Sequence, residues 1–275
     1  MLTYPEIDPI IVDLGYIQLR WYSLMYIIGL ITVFVWLRRG VKVGTLDLNE
    51  DQVEKIMIYG LVGMILGARL TYVFVYNFPH YWANPGDIVA VWKGGLSFHG
   101  GFIGVITALL IFAKIHKISY LNLCDHCAVA VPVGIGFGRI GNFINGELWG
   151  RVTDAPIGMV FPSGGPLPRH PSQLYESALE GWLLLVILYF LHRSRPKLGV
   201  TSAGFVLGYA TFRFIVEFFR QPDEQLGTVL GPFSMGQVLC AIMWLFGGFV
   251  LLWVLNRGEL PPDVQRQKAQ ETSAA

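Results

Sequence analysis

The sequence predicts an all-α, polytopic membrane helix bundle of about seven spans, and three observations carry that prediction. Of 275 residues, 53% are hydrophobic and only 14% charged, too few charges to cover a soluble globule of this length. The apolar residues come in runs of roughly 20, the length a helix needs to cross the hydrocarbon core. Lys and Arg collect after every second run, as the positive-inside rule requires of a multi-pass chain.

Apolar runs punctuated by Gly, Pro and charge place spans near 18–37, 53–76, 98–115, 122–140, 173–192, 202–219 and 233–255. The first follows MLTYPEIDPI, with acids where a signal peptide has a basic n-region, so it is expected to remain as a helix. Arg38, Arg39 and Lys42 close it. The second carries Arg69 in its outer half and Gly63-x-x-x-Gly67, read as ordinary close packing. The third opens in GGLSFHGG and ends at Lys114 and Lys117, and the fourth ends at Arg139. The fifth opens in RHPSQLYE and closes on Arg193, Arg195 and Lys197. Gly204-x-x-x-Gly208 and Arg213 lie in the sixth, while Arg257, Arg266 and Lys268 follow the seventh.

The basic clusters share one side, which the positive-inside rule makes cytoplasmic, so the N-terminus is outside and the C-terminus inside. The connections 77–97 and 141–172 then face outward, where Trp21, Tyr22, Tyr76, Tyr81, Trp82 and Trp92 suit an interfacial belt. Residues 1–260 read as one membrane-embedded domain and 261–275 as a polar, disordered tail. A net charge of +1 and a pI near 7.7 argue against a nucleic-acid partner. Three cysteines, an odd number in or beside apolar runs, imply no disulfide framework.

Polar residues concentrate at the outer ends. Gly138 to Arg151 holds Arg139, Asn142, Asn145, Glu147, Gly150 and Arg151: oriented donors and acceptors on a glycine-rich backbone, as a headgroup site needs. The competing reading is a polar loop touching lipid phosphates nonspecifically, but outer loops are normally poor in Arg and this one also holds Arg169. Tyr209, Arg213 and Glu217 recur every four residues, with Arg220 a turn further, and form one helix stripe. That stripe faces protein or water, although an Arg213–Glu217 structural pair is the simpler alternative.

His99 lies among glycines that let a large ligand approach, and an imidazole can take or hold a proton; a capped helix start explains it equally well. His170 opens the fifth span, with Glu176 and Glu180 one turn apart below it, where Pro171 alone would account for a helix start. Tyr22 and Tyr26, taken alone, are belt residues. Gly136-x-Gly138-x-x-Gly141 lacks the βαβ unit of a dinucleotide site, and Cys124-Asp125-His126-Cys127 lacks a second ligand pair for a metal.

The run Gly138 to Gly150, with LSFHGG, RHPSQLYE and FRFIVEFFRQPD in the same order, resembles the prolipoprotein diacylglyceryl transferases over all but the tail. The resemblance implies a bacterial inner-membrane enzyme. It would move the diacylglyceryl group of phosphatidylglycerol onto the lipobox cysteine thiol of a preprolipoprotein, releasing glycerol phosphate and requiring no cofactor or metal. On that chemistry His99, Arg139 and Arg213 are the expected catalytic residues. Tyr22, Asn142, Asn145, Glu147, Gly150, Arg151, Arg169, His170, Tyr209, Glu217 and Arg220 are the expected substrate contacts. A transporter or flippase for an anionic lipid or metabolite is the rival, since buried arginines and glycine-interrupted helices also suit translocation.

Overall fold

In the computed structural model, which describes residues 2–16, 18–221, 228–230 and 233–274, the side chains of Asn49, Ser97 and Ser234 cap the helices that follow them. After a short hairpin of β1 (Ile10–Asp13) and β2 (Gln18–Arg20) come α1 (Trp21–Lys42) and α2 (Glu50–Thr71), which runs on as a π-helical turn over Tyr72–Tyr76. Asn49 caps α2 in a reciprocal box with Gln52, and Glu50 and Asp51 complement the positive helix start. Next are α3 (Phe78–Ala83), two 3₁₀ turns, α4 (Phe98–His116) and α5 (Tyr120–Ile144). The fifth span is α6 (Ser172–Glu176), a π-helical stretch Ser177–Leu183 and α7 (Leu184–Arg193). The chain continues with α8 (Val200–Val216), β3 (Thr228–Leu230), β4 (Phe233–Ser234), α9 (Met235–Arg257) and α10 (Pro262–Ala274).

Among the described residues six helices are long and apolar enough to cross a membrane, and α8, at 17 residues, is a shorter apolar helix in the place of the sixth expected span. The chain is thus all-α and polytopic. Within the second span only 17% of the apolar window is buried inside the protein, so most of its side chains require another apolar medium. The tail expected to be disordered is helical as α10: Pro262 opens it, Asp263 lies in its first turn, and Asp263 pairs with Arg195 at 2.8 Å. Local composition missed that tether because Arg195 belongs to a distant turn.

The chain forms two compact units, residues 37–124 and residues 1–36 with 125–275. In the first, α2 and α4 meet through glycines: a Cβ on Gly67 would lie 2.2 Å from the Gly100 carbonyl oxygen, and one on Gly104 2.0 Å from that of Gly63. The Gly63 and Gly67 spacing is a backbone-to-backbone contact.

In the second unit, Val129, Leu184 and Leu188 form a core joined by Trp36, Tyr189 and Tyr209. Asp125 accepts from the Gly199 and Ser202 amides at 2.7 and 2.8 Å and from the Ser202 hydroxyl at 2.6 Å, capping α8 from α5. Gly204 and Gly208 face the side chains of Leu191, Leu188 and Leu184. Two of the fingerprint-like glycines, Gly136 and Gly141, serve packing: a Cβ on Gly181 would sit 2.5 Å from Gly136, and one on Gly141 would sit 2.9 Å from the Tyr22 ring.

Candidate functional site

Three helices of the second unit each deliver part of one buried ion cluster. Glu176, at the end of α6, is fully buried, and a carboxylate there requires partners. It has three: Arg139 Nε from α5 at 2.5 Å, Arg213 Nη1 from α8 at 3.4 Å, and Arg220 Nη1 at 3.2 Å. Arg213 also meets Glu217 at 2.8 Å and Glu180 at 3.9 Å. Glu217 in turn accepts from the Ser234 hydroxyl at 2.8 Å, the residue that caps α9.

The π-helical stretch Ser177–Leu183 follows Glu176 directly and carries Glu180, also fully buried, with no hydrogen-bond partner at either oxygen among the described residues. Such local widening recurs at functional sites. Ser177 holds the stretch to α5 by donating to the Gly136 carbonyl at 2.9 Å.

The cluster presents its cations unevenly. The Arg139 side chain is 21% exposed and engages Glu176 only through Nε; among the described residues no bond occupies its terminal nitrogens. That fork, set by a carboxylate behind it, is suited to receive an anion.

Beyond α5, the signature run folds into a tight turn in which Gly146 and Leu148 adopt φ of +65° and +57°. Asn142 and Asn145 both donate to Glu147 Oε1, at 2.9 and 3.0 Å, and Gln173 donates to the Glu147 carbonyl at 2.6 Å. Tyr22 lies within electrostatic reach of Glu147 and Arg139, and its hydroxyl is 3.2 Å from that of Tyr26.

Gly150 and Arg151 stitch this turn to two other segments. The Gly150 amide donates to the His170 carbonyl and the Arg151 amide to that of Phe219, both at 2.8 Å, while Arg151 Nε donates to the Arg220 carbonyl at 2.9 Å. A Cβ on Gly150 would fall 2.4 Å from the Phe219 oxygen, so only glycine fits. Arg169 donates to the Gly164 and Gly150 carbonyls and stacks 3.9 Å over Trp149. His170 pairs with the Tyr175 hydroxyl at 3.1 Å and packs on Phe219; burial holds its imidazole below the usual value, which favours the neutral ring. Tyr209 stacks on Phe205 and lies within electrostatic reach of Arg213, Arg139 and Glu180.

Of the residues singled out in the sequence, Arg139, Arg213, Glu217 and Arg220 meet in the cluster, and Asn142, Asn145 and Glu147 form the adjoining turn. Gly150, Arg151, Arg169 and His170 build the strap that joins the turn to α6 and the end of α8. The simpler reading of Arg213 and Glu217 as an ion pair holds, but as one edge of a larger cluster. His99 belongs to the other unit, as the second residue of α4, and is exposed. The last two residues of FRFIVEFFRQPD lie outside the described residues.

Glu176, Glu180 and Ser234 belong to the cluster although no sequence motif assigns them to it. Carboxylates inside an apolar span were the available signal for the first two, and the Ser234-x-x-Gln237 capping box for the third. Arg69, which topology had placed with the outer cations, spends its donors on backbone carbonyls of its own unit.

A profile of the prolipoprotein diacylglyceryl transferase family matches residues 9–253. A phosphatidylglycerol–prolipoprotein diacylglyceryl transferase of Geobacter sulfurreducens is 50% identical over 256 residues, 93% of this chain and 98% of its own. The proteins of the same name from Vibrio vulnificus and Photobacterium profundum are 50% and 49% identical, over 96% and 92% of this chain and 97% and 95% of theirs. A likeness of that extent takes in every helix that contributes to the ion cluster and the turn beside it, and the chain belongs to the prolipoprotein diacylglyceryl transferase family.

Proposed function

We propose that this protein is a membrane transferase that moves the diacylglyceryl group of phosphatidylglycerol onto the lipobox cysteine thiol of a preprolipoprotein. A thioether forms, and glycerol phosphate leaves. The relatives' name supplies the two substrates. The observation that carries the reading for this chain is the arginine cluster around Glu176, in which the terminal nitrogens of Arg139 carry no bond among the described residues.

The reaction breaks the bond between the glycerol carbon and the phosphate oxygen, so negative charge grows on the departing phosphate. Permanently charged, planar guanidiniums that a carboxylate holds in place stabilise that charge without reorganising. Arg139 and Arg213 take this role, with Arg220 beside them. Asn142, Asn145 and Glu147 orient the headgroup glycerol, and Tyr22, Tyr209 and Glu217 give supporting contacts. Gly150, Arg151, Arg169 and His170 hold the turn that presents those groups. His99 orients the incoming thiol or takes its proton, because a free thiol, with a pKa of about 8.5, holds little thiolate at neutral pH.

Residues 1–260 act as one membrane-embedded catalytic domain in the bacterial inner membrane. The site faces the periplasm, since Arg139, Glu176 and Arg213 lie at helix ends opposite those that carry the basic clusters.

Incubating the purified protein with phosphatidylglycerol and a lipobox peptide should add a diacylglyceryl group to the cysteine, read by mass. Lipid crossing in proteoliposomes with no thioether product would favour the transporter instead.

A further inference from the structure

Residues 37–124 contain a buried cation that the transfer chemistry leaves unused. Arg69, in the last turn of α2, is 4% exposed. A guanidinium has five N–H donors, and here five backbone carbonyls receive them. Nε donates to Ile88 at 2.8 Å, Nη1 to Gly94 and Gly95 at 2.5 and 3.0 Å, and Nη2 to Asp87 and Ala90 at 2.5 and 3.2 Å. The Tyr81 ring covers the guanidinium 5.0 Å away. No donor remains for a phosphate, so the residue organises the chain around it.

What it organises is the approach to α4. Gly94 and Gly95 take φ of +83° and +75°, left-handed conformations that turn their carbonyls onto Arg69. A Cβ on Gly95 would lie 2.6 Å from the Tyr72 ring and 2.9 Å from Arg69 Nη1. Two residues on, the Ser97 amide donates to the carbonyl of Ala68, the neighbour of Arg69, at 3.0 Å. The Ser97 hydroxyl then caps α4 by accepting from the Gly100 amide at 3.2 Å. A Cβ on Gly100 would fall 2.3 Å from the Gly67 oxygen and 2.4 Å from Thr71. His99 stands between that cap and that contact, so one turn of α2 sets where its backbone lies.

We propose that Arg69 is the positioning residue for His99: it wraps residues 87–95 around its guanidinium so that the capped start of α4 holds the imidazole in place for transfer. The proposal rests on the role given to His99 above. A displacement of about 1 Å at a working group can cost up to about a hundredfold in rate.

The test measures kcat, the KM for phosphatidylglycerol and thermal unfolding of the purified full chain, using a lipobox peptide. Arg69→Lys and Ser97→Ala are each made alone and with His99→Gln. Arg69→Lys keeps the charge but loses the planar fork, and Ser97→Ala breaks one link while leaving the guanidinium intact. Each single variant is expected to lower kcat about tenfold or more with KM unchanged, yet to add less than about twofold in the His99→Gln background. Losses that multiply in the double variants, or a raised KM with kcat intact, would overturn the positioning role alone. Wild-type kcat in His99→Gln would remove the role of His99 and the proposal with it.

Discussion

Glu176 illustrates why one residue can govern a site without meeting a substrate. Its fully buried carboxylate is shared by Arg139, Arg213 and Arg220, whose side chains are themselves mostly buried. Removing one partner of such a buried set leaves charge uncompensated, at a cost of about 3–5 kcal/mol. Glu176→Ala should therefore lower the unfolding temperature in detergent as well as abolish transfer, and unchanged thermal stability would contradict the shared-carboxylate account. Arg139→Ala is expected to behave differently, because among the described residues only its Nε is engaged. Transfer should fall about 10²–10³-fold while the fold survives. Near-normal labelling of a lipobox peptide by Arg139→Ala would refute the phosphate role.

Elements act through their ends. The strap at Gly150 and Arg151 ties the turn after α5 to His170 and to Phe219 just beyond α8, and its close approach excludes a side chain. Gly150→Ala should displace the strap and reduce transfer at least about tenfold, with little change in helical circular dichroism. At the opposite end of α8, Asp125 satisfies three donors at the helix start. Asp125→Ala should cost about 1–2 kcal/mol, read as a lower unfolding temperature, with transfer retained at temperatures where the chain stays folded. The two substitutions separate an end that serves the site from an end that serves the fold. The spans were legible at this scale because caps and charges mark them locally. The fifth span's π-helical stretch was not, since hydropathy is blind to the change in helical repeat that follows Glu176.

Across the whole chain, the basic clusters after α1, α4, α7 and α9 predict a cytoplasmic C-terminus. A reporter fused beyond Ala275 that is active only in the cytoplasm should signal. One fused within the 151–169 connection should not, and the reverse pattern would invert the proposed topology. Hydropathy and charge were enough for the class and the spans, because the surrounding medium acts on local composition, whereas the family was legible only through the motifs LSFHGG, RHPSQLYE and FRFIVEFFRQPD and the run Gly138 to Gly150. Arg139, Arg213 and Glu147 were likewise visible as polar residues with no reason to be near a bilayer. Their pairing was not, since Glu176 and Arg220 stand 44 residues apart and no local pattern selects among several carboxylates. Arg69 shows the same limit from the other side: it shares the charge and outer-half placement of Arg139, yet its donors are consumed by carbonyls 18 to 26 residues away. Composition settles that a cation must be buried, and folded contacts settle whether it is left open to a ligand or spent on the chain, because hydrogen-bond partners come from wherever the backbone returns.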